Sequence, residues 1–307
     1  SHPISPIVPH DIRYSGKSSR EKRHEIAQTL EKDGVDAAIL TLPDSVAWLL
    51  NIRGSDVSHT PLTLSYAILH KDGSVDWFVD QRKIIPGLSE SLGNEIAIQP
   101  IDDFGKRLSE LGAAGAEIRT DPSTAAAYVF EKLSGARIVM QQDPCALPKA
   151  IKNETEIAGM RNAHERDGLA LTRFLHWLSK SVPKGEVTEI TASDQLHEFR
   201  AESGALRDLS FPTISSTGPN GAVVHYHATD KTNRALRLGE LYLVDSGAQY
   251  LDGTTDVTRT IVIGEPTAEM TDRFTRVLKG HIAIATARFP KGTTGGQLDT
   301  LARSSLW

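Results

Sequence analysis

The stretch that most constrains the fold is 240–264, ELYLVDSGAQYLDGTTDVTRTIVIG. Two runs rich in β-formers, 241–244 and 257–263, flank an Asp252-Gly253 pair, the turn chemistry of a hairpin. Each run is joined by a carboxylate, Asp245 and Asp256. Alternation sets Leu241, Leu243 and Asp245 on one face, so Asp245 is expected to end a row that otherwise reads as core. On the return run Asp256 shares its face with Thr258 and Thr260. A buried aspartate has to be neutralised, hydrogen-bonded or bound to a cation. Two readings stay open on these residues alone. The aspartates cap turns and accept backbone amides, as Asp beside Gly often does, or they converge on a pair of hard divalent cations, which lower the pKa of a shared water.

Register bears on the choice. A two-residue turn at Asp252-Gly253 pairs Asp256 with Gln249 and Asp245 with Thr260, leaving the carboxylates four residues, about 13 Å, apart along the strand. Convergence therefore requires a wider loop or a bulge between Gly247 and Thr255.

At 307 residues and 39% hydrophobic, the chain has core material for two domains. A net charge of −5, with acid and base interspersed and no Lys/Arg run, argues against a nucleic-acid partner. The single cysteine, Cys145, excludes an intramolecular disulfide and is expected to be a small buried or linker residue. No apolar run approaches the roughly 18 residues of a membrane span, and SHPISPIVPHDIRYS lacks the layout of a signal peptide. The expectation is a cytoplasmic protein with no membrane partner. The first residue is Ser, so a cut or processed N-terminus is also expected.

In chain order, 1–16 reads as an irregular linker remnant. An amphipathic helix from Ser18 ends at Gly34 and is followed by a buried strand, 35–41. Asp44 is expected to cap a short helix through 46–50. Runs 66–69 and 75–79 flank an Asp-Gly turn as a hairpin. Helix and strand then alternate: strands at 95–100, 116–120 and 136–141, helices at 102–111 and 123–133. This predicts an α/β domain with a mixed sheet, over 1–145, without a phosphate-binding glycine loop. The proline-rich 143–149 reads as a linker into a second domain, 146–307. There Asn153 and Glu156 form a capping box ahead of a helix striped by Ile157, Met160, His164, Leu171, Phe174, Leu175 and Leu178, with His164 a helix-face residue rather than a ligand. A second helix opens at Thr188 or Thr191. Segment 206–216 is extended, 218–221 a turn, and 222–226 a short strand carrying His225. Read alone, His225 is either a hydrogen-bonded packing residue or a donor beside a reacting carbonyl. A helix over 267–289 with a Thr cap, then another from Gly295, close the sequence.

The runs 242–260 (YLVDSGAQYLDGTTDVTRT) and 211–226 (FPTISSTGPNGAVVHY) resemble the aminopeptidase P (Xaa-Pro aminopeptidase) branch of the pita-bread metallopeptidases, and look closest to its long cytosolic form. The likeness extends through 51–57 (NIRGSDV), 183–190 (PKGEVTEI) and 277–283 (VLKGHIA), and so covers nearly the whole chain. The resemblance implies an α/β (α+β) chain: a creatinase-like non-catalytic domain followed by the first half of a pita-bread catalytic domain. It implies an enzyme that releases the N-terminal residue from peptides with proline second, through a hydroxide bridging two divalent metal ions, usually Mn²⁺. Asp245 and Asp256 match metal ligands, and His225, in its Gly-Ala-x-x-His-Tyr setting, matches a histidine that assists at the carbonyl or in proton transfer. Arg53, in the loop IRGSDVSHTP, is implied at an active-site rim as a substrate contact, or at a dimer contact. The bland reading of that loop gives Arg53 and Asp56 structural polar contacts. A homodimer is the family expectation. The sequence departs from the pattern at Trp307, before the expected His and two Glu ligands, so the catalytic fold is expected to be cut in its first half and the activity of these 307 residues is left open. Rival functions are a prolidase or creatinase-type hydrolase, or an inactive pita-bread module that binds peptides or proteins.

Overall fold

The computed structural model describes residues 3–185 and 187–307. The chain divides into two compact units, one made of Ser1–Ala170, Arg200–Pro212 and Ser246–Val257, the other of Leu171–Phe199, Thr213–Asp245 and Thr258–Trp307.

The first unit begins with β1 (Val8–Pro9), α1 (Ile12–Ser15), α2 (Ser19–Lys32), β2 (Ala37–Leu40), α3 (Pro43–Leu50) and β3 (Ile52–Arg53). It continues through β4 (Tyr66–His70), β5 (Val75–Val79), α4 (Leu88–Leu92), β6 (Ile96–Pro100), α5 (Phe104–Ala113), β7 (Glu117–Thr120), α6 (Ala127–Lys132), β8 (Arg137–Met140) and α7 (Ala146–Ala150). Six strands form one sheet in the order β6-β5-β4-β2-β7-β8. It is mixed as expected, with β4 antiparallel to both β2 and β5, and β6, β7 and β8 parallel to their neighbours.

Alternation divides the sheet residues between two cores. Ala38, Leu40, Ala67, Leu69, Trp77 and Val79 face Ile26 and Leu30 of α2 and Val46, Leu49 and Leu50 of α3. Ala37, Ile39, Ile68 and Phe78 face Phe104 and Leu108 of α5, with Val129 and Leu133. Helices on both faces make this a three-layer α/β unit. Helix α2 starts in a capping box, Ser18 Oγ accepting from the Glu21 amide while Glu21 accepts from the Ser18 amide.

Five local expectations change. The segment expected to be an irregular linker remnant is built into the fold from Ile7 on: Ile7 is in the core, β1 pairs with β3, and Asp11 caps α1. Ser1 and His2 lie outside the described residues. Asp44 sits in the first turn of α3, whose N-cap is Leu42, because Pro43 with its fixed φ takes the N1 position. The expected linker at 143–149 is ordered: Asp143 is buried and accepts the Cys145 amide at 2.7 Å, Cys145 is in the core, and α7 follows. Burial, then the charge of Asp143, raises the Cys145 thiol far above its ordinary value, which keeps it protonated and unreactive.

The remaining elements are α8 (Glu154–Ser181), α9 (Glu189–Ala201), β9 (Asp208–Leu209), β10 (Ile214–Thr217), β11 (Leu241–Ser246), β12 (Ala248–Gln249), β13 (Val257–Val262), α10 (Ala268–Ala285) and α11 (Gly295–Arg303). The Asn153–Glu156 capping box forms at the start of α8, with bonds of 2.9 and 3.0 Å. His164 is exposed on α8 and its Nδ1 lies 2.8 Å from the Met160 carbonyl, a helix-face role. In the second unit β10, β11 and β13 form a three-stranded sheet with β11 central, and the Phe174 ring of α8 packs 6.4 Å from that of Tyr242. Thr267 caps α10, which ends at Ala285 rather than continuing to Phe289. Gly280 lets α10 approach α11: a Cβ there would lie 2.1 Å from the Ala302 carbonyl oxygen.

The last change concerns 222–226. It is not a strand: a 3₁₀ turn spans Gly218–Ala222, and His225 follows at φ 55°, in the left-handed region.

Candidate metal and catalytic site

On β11 the buried face is Tyr242, Val244 and Ser246, while Leu241, Leu243 and Asp245 are partly exposed. This reverses the face expected to be core. Tyr242 decides it: the phenol is wholly buried, its oxygen 2.8 Å from Ser215 Oγ on β10, and burial pushes its pKa well up. Asp245, opposite Ile214 in the β10–β11 ladder, therefore lies on the half-exposed face. Its Oδ1 is nonetheless buried and accepts no hydrogen bond from the described residues. A carboxylate oxygen out of water without a donor is unfavourable, and the turn-capping reading, which needs backbone amides on Asp245, fails for that oxygen. The donor set suits a hard cation.

Asp256 belongs to the first unit and is exposed. The hairpin tip there does not turn at Asp252-Gly253. The Tyr250 amide donates to the Gly253 carbonyl at 2.8 Å and Gln249 bridges Thr254, so Leu251-Asp252 are the central residues. Continuing that register sets Asp256 level with Gly247 rather than Gln249, the direction that convergence requires. The wider loop or bulge expected between Gly247 and Thr255 is replaced by this two-residue turn one position earlier. β11 ends at Ser246, and β12 pairs with β9 instead. Gly247 makes the break possible: a Cβ would stand 2.0 Å from the Thr255 carbonyl oxygen and 2.2 Å from Ser210 Oγ. Asp252 holds Arg166 through two bonds of 3.1 and 3.0 Å. Among the described residues no group of three or more His, Cys, Asp or Glu side chains could hold a metal ion.

His225 is exposed at its turn, and the turn is held by a residue that pattern reading passed over. Glu189, the first residue of α9, is 0% exposed. Its Oε1 accepts from the Thr217 amide at 2.8 Å and Asn220 Nδ2 at 3.0 Å, and its Oε2 from the Tyr226 hydroxyl at 2.9 Å and the Arg234 amide at 3.0 Å. All four donors belong to the segment 217–234 that carries His225. The Tyr226 phenol, next to His225, is buried and pushed up by that burial. The available signal was the donor-rich loop itself, with Asn220 and Tyr226 in search of an acceptor.

Arg53 lies in the first unit, on β3 opposite Val8, and lines a cavity of about 350 Å³. Its contact is of the structural polar kind the bland reading gave it: its Nη1 donates to the Ile52 carbonyl at 2.9 Å. Asp56 has the structural role as well: it is buried and accepts from Lys83 at 2.5 Å and from the Leu64 amide at 2.7 Å. His59, at φ 62°, offers its carbonyl to Gln249 Nε2 at 2.9 Å.

Residues 1–156 match the Creatinase/Prolidase N-terminal domain and residues 158–307 match metallopeptidase family M24. A probable Xaa-Pro aminopeptidase P of Paracoccidioides brasiliensis is 42% identical over 99% of this chain and 52% of its own length. Xaa-Pro aminopeptidase 1 of Dictyostelium discoideum is 39% identical over 100% and 49%. The crystal structure of X-prolyl aminopeptidase from Caenorhabditis elegans, described as a cytosolic enzyme with a di-nuclear active site, superposes with a TM-score of 0.92 at 35% identity, over 100% of this chain and 51% of that one. The chain spans about half the length of the curated relatives it matches. With a three-layer α/β unit over the first match and the β10–β11–β13 sheet within the second, the chain belongs to the creatinase/prolidase N-terminal domain family, joined to a segment of the M24 metallopeptidases.

Proposed function

We propose that the protein is a metal-dependent aminopeptidase that releases the N-terminal residue from peptides with proline in second position. The observation that carries this is the buried, donor-less Oδ1 of Asp245, at the end of a strand in the segment matching metallopeptidases. The Xaa-Pro specificity rests on the relatives' names.

Asp245 and Asp256 are the residues proposed to hold two divalent ions, Mn²⁺ in our reading. Such ions, when bound, promote attack of water on a peptide carbonyl near neutral pH and stabilise charge on the carbonyl oxygen. The chain's part is to place carboxylates and a proton-bearing side chain. His225, exposed and fixed beside the Glu189-anchored Tyr226, donates a hydrogen bond to the scissile carbonyl or passes a proton to the leaving amine. Arg53 contributes a guanidinium to substrate. The same reading makes the protein a cytoplasmic homodimer acting on peptides; the worm enzyme's description as cytosolic supports the location. No helix among the described residues is long and apolar enough to cross a membrane.

The test is release of arginine from Arg-Pro-Pro with and without Mn²⁺, beside metal analysis and an X-Pro dipeptide. Mn²⁺-dependent cleavage of the tripeptide, lost in Asp245→Asn, is expected. Cleavage of the dipeptide alone would replace this reading with a prolidase, and no metal uptake with no turnover would overturn it.

A further inference from the structure

The first unit contains four buried Lys or Arg side chains among its described residues: Lys22, Arg23, Lys83 and Arg200. Three have a carboxylate: Arg23 with Glu95 at 2.8 Å, Lys83 with Asp56 at 2.5 Å, and Arg200 with Asp167 at 2.7 Å. That is the usual condition for keeping a cation out of water. Lys22 is the exception. It is 2% exposed, and its ammonium meets only neutral groups: Asn51 Oδ1 at 2.7 Å, the Trp48 carbonyl at 3.0 Å, and the Trp48 ring at 4.6 Å from its centroid.

Lys22 lines the 350 Å³ cavity together with Arg53, whose guanidinium has one main-chain acceptor and no carboxylate among the described residues. The whole lining is unbalanced. Lys22, Arg53, Lys149, Lys152 and Arg207 stand against Glu156 and Asp252. Asp252 is already neutralised by Arg166, and Lys149 by Asp44, which leaves Glu156 facing the rest. Burial holds Lys22 down to about 8, Glu156 opposing it more than Arg53 adds to it, and burial holds Arg53 down to about 10 against the pull of Glu156, so that one carboxylate serves both cations. His10, in the same wall, is depressed to about 3 by burial and then by Arg53 and Lys22, so it stays neutral.

We propose that this cavity binds a small oxyanion, a phosphate or carboxylate group taken by the planar fork of Arg53 with the point charge of Lys22 behind it. Arg matches two oxygens of such a group at once, and Lys supplies charge without direction. The space is ample for the group and its waters. The inference does not depend on the metal site, since every residue invoked lies in the first unit and none is a proposed metal ligand.

The test titrates inorganic phosphate into the purified, metal-free protein by calorimetry and thermal melting, against NaCl at matched ionic strength. One saturable site and a melting temperature that rises with phosphate are expected. Arg53→Gln and Lys22→Met should each weaken binding roughly tenfold or more. If Lys22→Met does not fold, Arg53→Gln, which loses one main-chain bond, carries the comparison. A response equal to that of NaCl, or folded variants that bind phosphate as the parent does, overturns the proposal. Arg-Pro-Pro added to phosphate-saturated protein identifies the source: competition assigns the site to a peptide carboxylate and additivity to a free anion, and both uphold it.

Discussion

Replacing Glu189 by Gln changes one oxygen to an amide and should release the His225 turn. The carboxylate takes two donors on each oxygen, from Thr217, Asn220, Tyr226 and Arg234, with no water access. A glutamine keeps one acceptor and turns an N–H₂ either toward the Thr217 and Asn220 donors or toward the Arg234 amide and the Tyr226 hydroxyl, which then accepts and donates instead to the Thr232 carbonyl. One or two hydrogen bonds to a charged group are lost, each worth about 1.5–3 kcal/mol, and at least one donor–donor conflict replaces them. Relaxation of the exposed turn recovers part, so a loss of about 3 kcal/mol is expected, or roughly 6–12 °C in melting temperature. Hydrogen exchange should report the loss at the Thr217 and Arg234 amides, well above its effect on the six-stranded sheet of the first unit. Activity on Arg-Pro-Pro should fall through kcat, and Glu189→Gln/His225→Ala should be no slower than His225→Ala alone, because both act through one side chain. Unchanged protection at Thr217 and Arg234 would refute the anchoring. A His225→Ala enzyme with normal kcat would refute instead the role given to His225, leaving the anchoring intact.

Three further outcomes are expected. Gly247→Ala forces a methyl to within 2.0 Å of the Thr255 carbonyl oxygen and should destabilise by about 3 kcal/mol, read as the denaturation midpoint; a midpoint like the parent's would contradict the close approach. Asp245→Asn should leave the metal-free melting temperature nearly unchanged, since Oδ1 has no donor to lose, while Mn²⁺ affinity falls by more than the ~10–100-fold typical of losing an outer partner. His10, with a folded pKa of about 3 against an ordinary 6.5, takes up a proton on unfolding below pH 6.5. Its contribution is full above that pH and is lost toward pH 3, by about 1.4 kcal/mol per pH unit; His10→Gln should flatten the stability profile between pH 6.5 and about 4.5, above the ordinary carboxylate range.

The first unit was legible because its strands obey alternation and α2 and α8 carry their own caps. The β4–β5 hairpin, the capping box ahead of α8 and the mixed sheet follow from Asp-Gly chemistry, Asn153–Glu156 spacing and helix–strand alternation. The site was legible only in its carboxylates. Sequence alternation gives two faces to β11 but not which is buried, and Leu241 and Leu243 are as apolar as Tyr242 and Val244. The choice was made by a tertiary hydrogen bond, Tyr242 to Ser215, between residues 27 apart. His225 was placed on a strand because Ala222–Tyr226 is rich in β-formers, yet φ 55° at His225 and the buried Glu189 acceptor turn the chain there instead. In both cases a polar atom that had to find a partner overrode local propensity. The same demand runs through the molecule's open questions. Asp245 Oδ1 lacks a donor, as do the buried Asp56 Oδ1 and Asp143 Oδ2, and Lys22 lacks the ion-paired carboxylate that Arg23, Lys83 and Arg200 each have. What sets these two apart is place: Asp245 ends a strand in the metallopeptidase-matching segment and Lys22 lines a cavity, so a cation is the proposed complement of the first and an anion of the second.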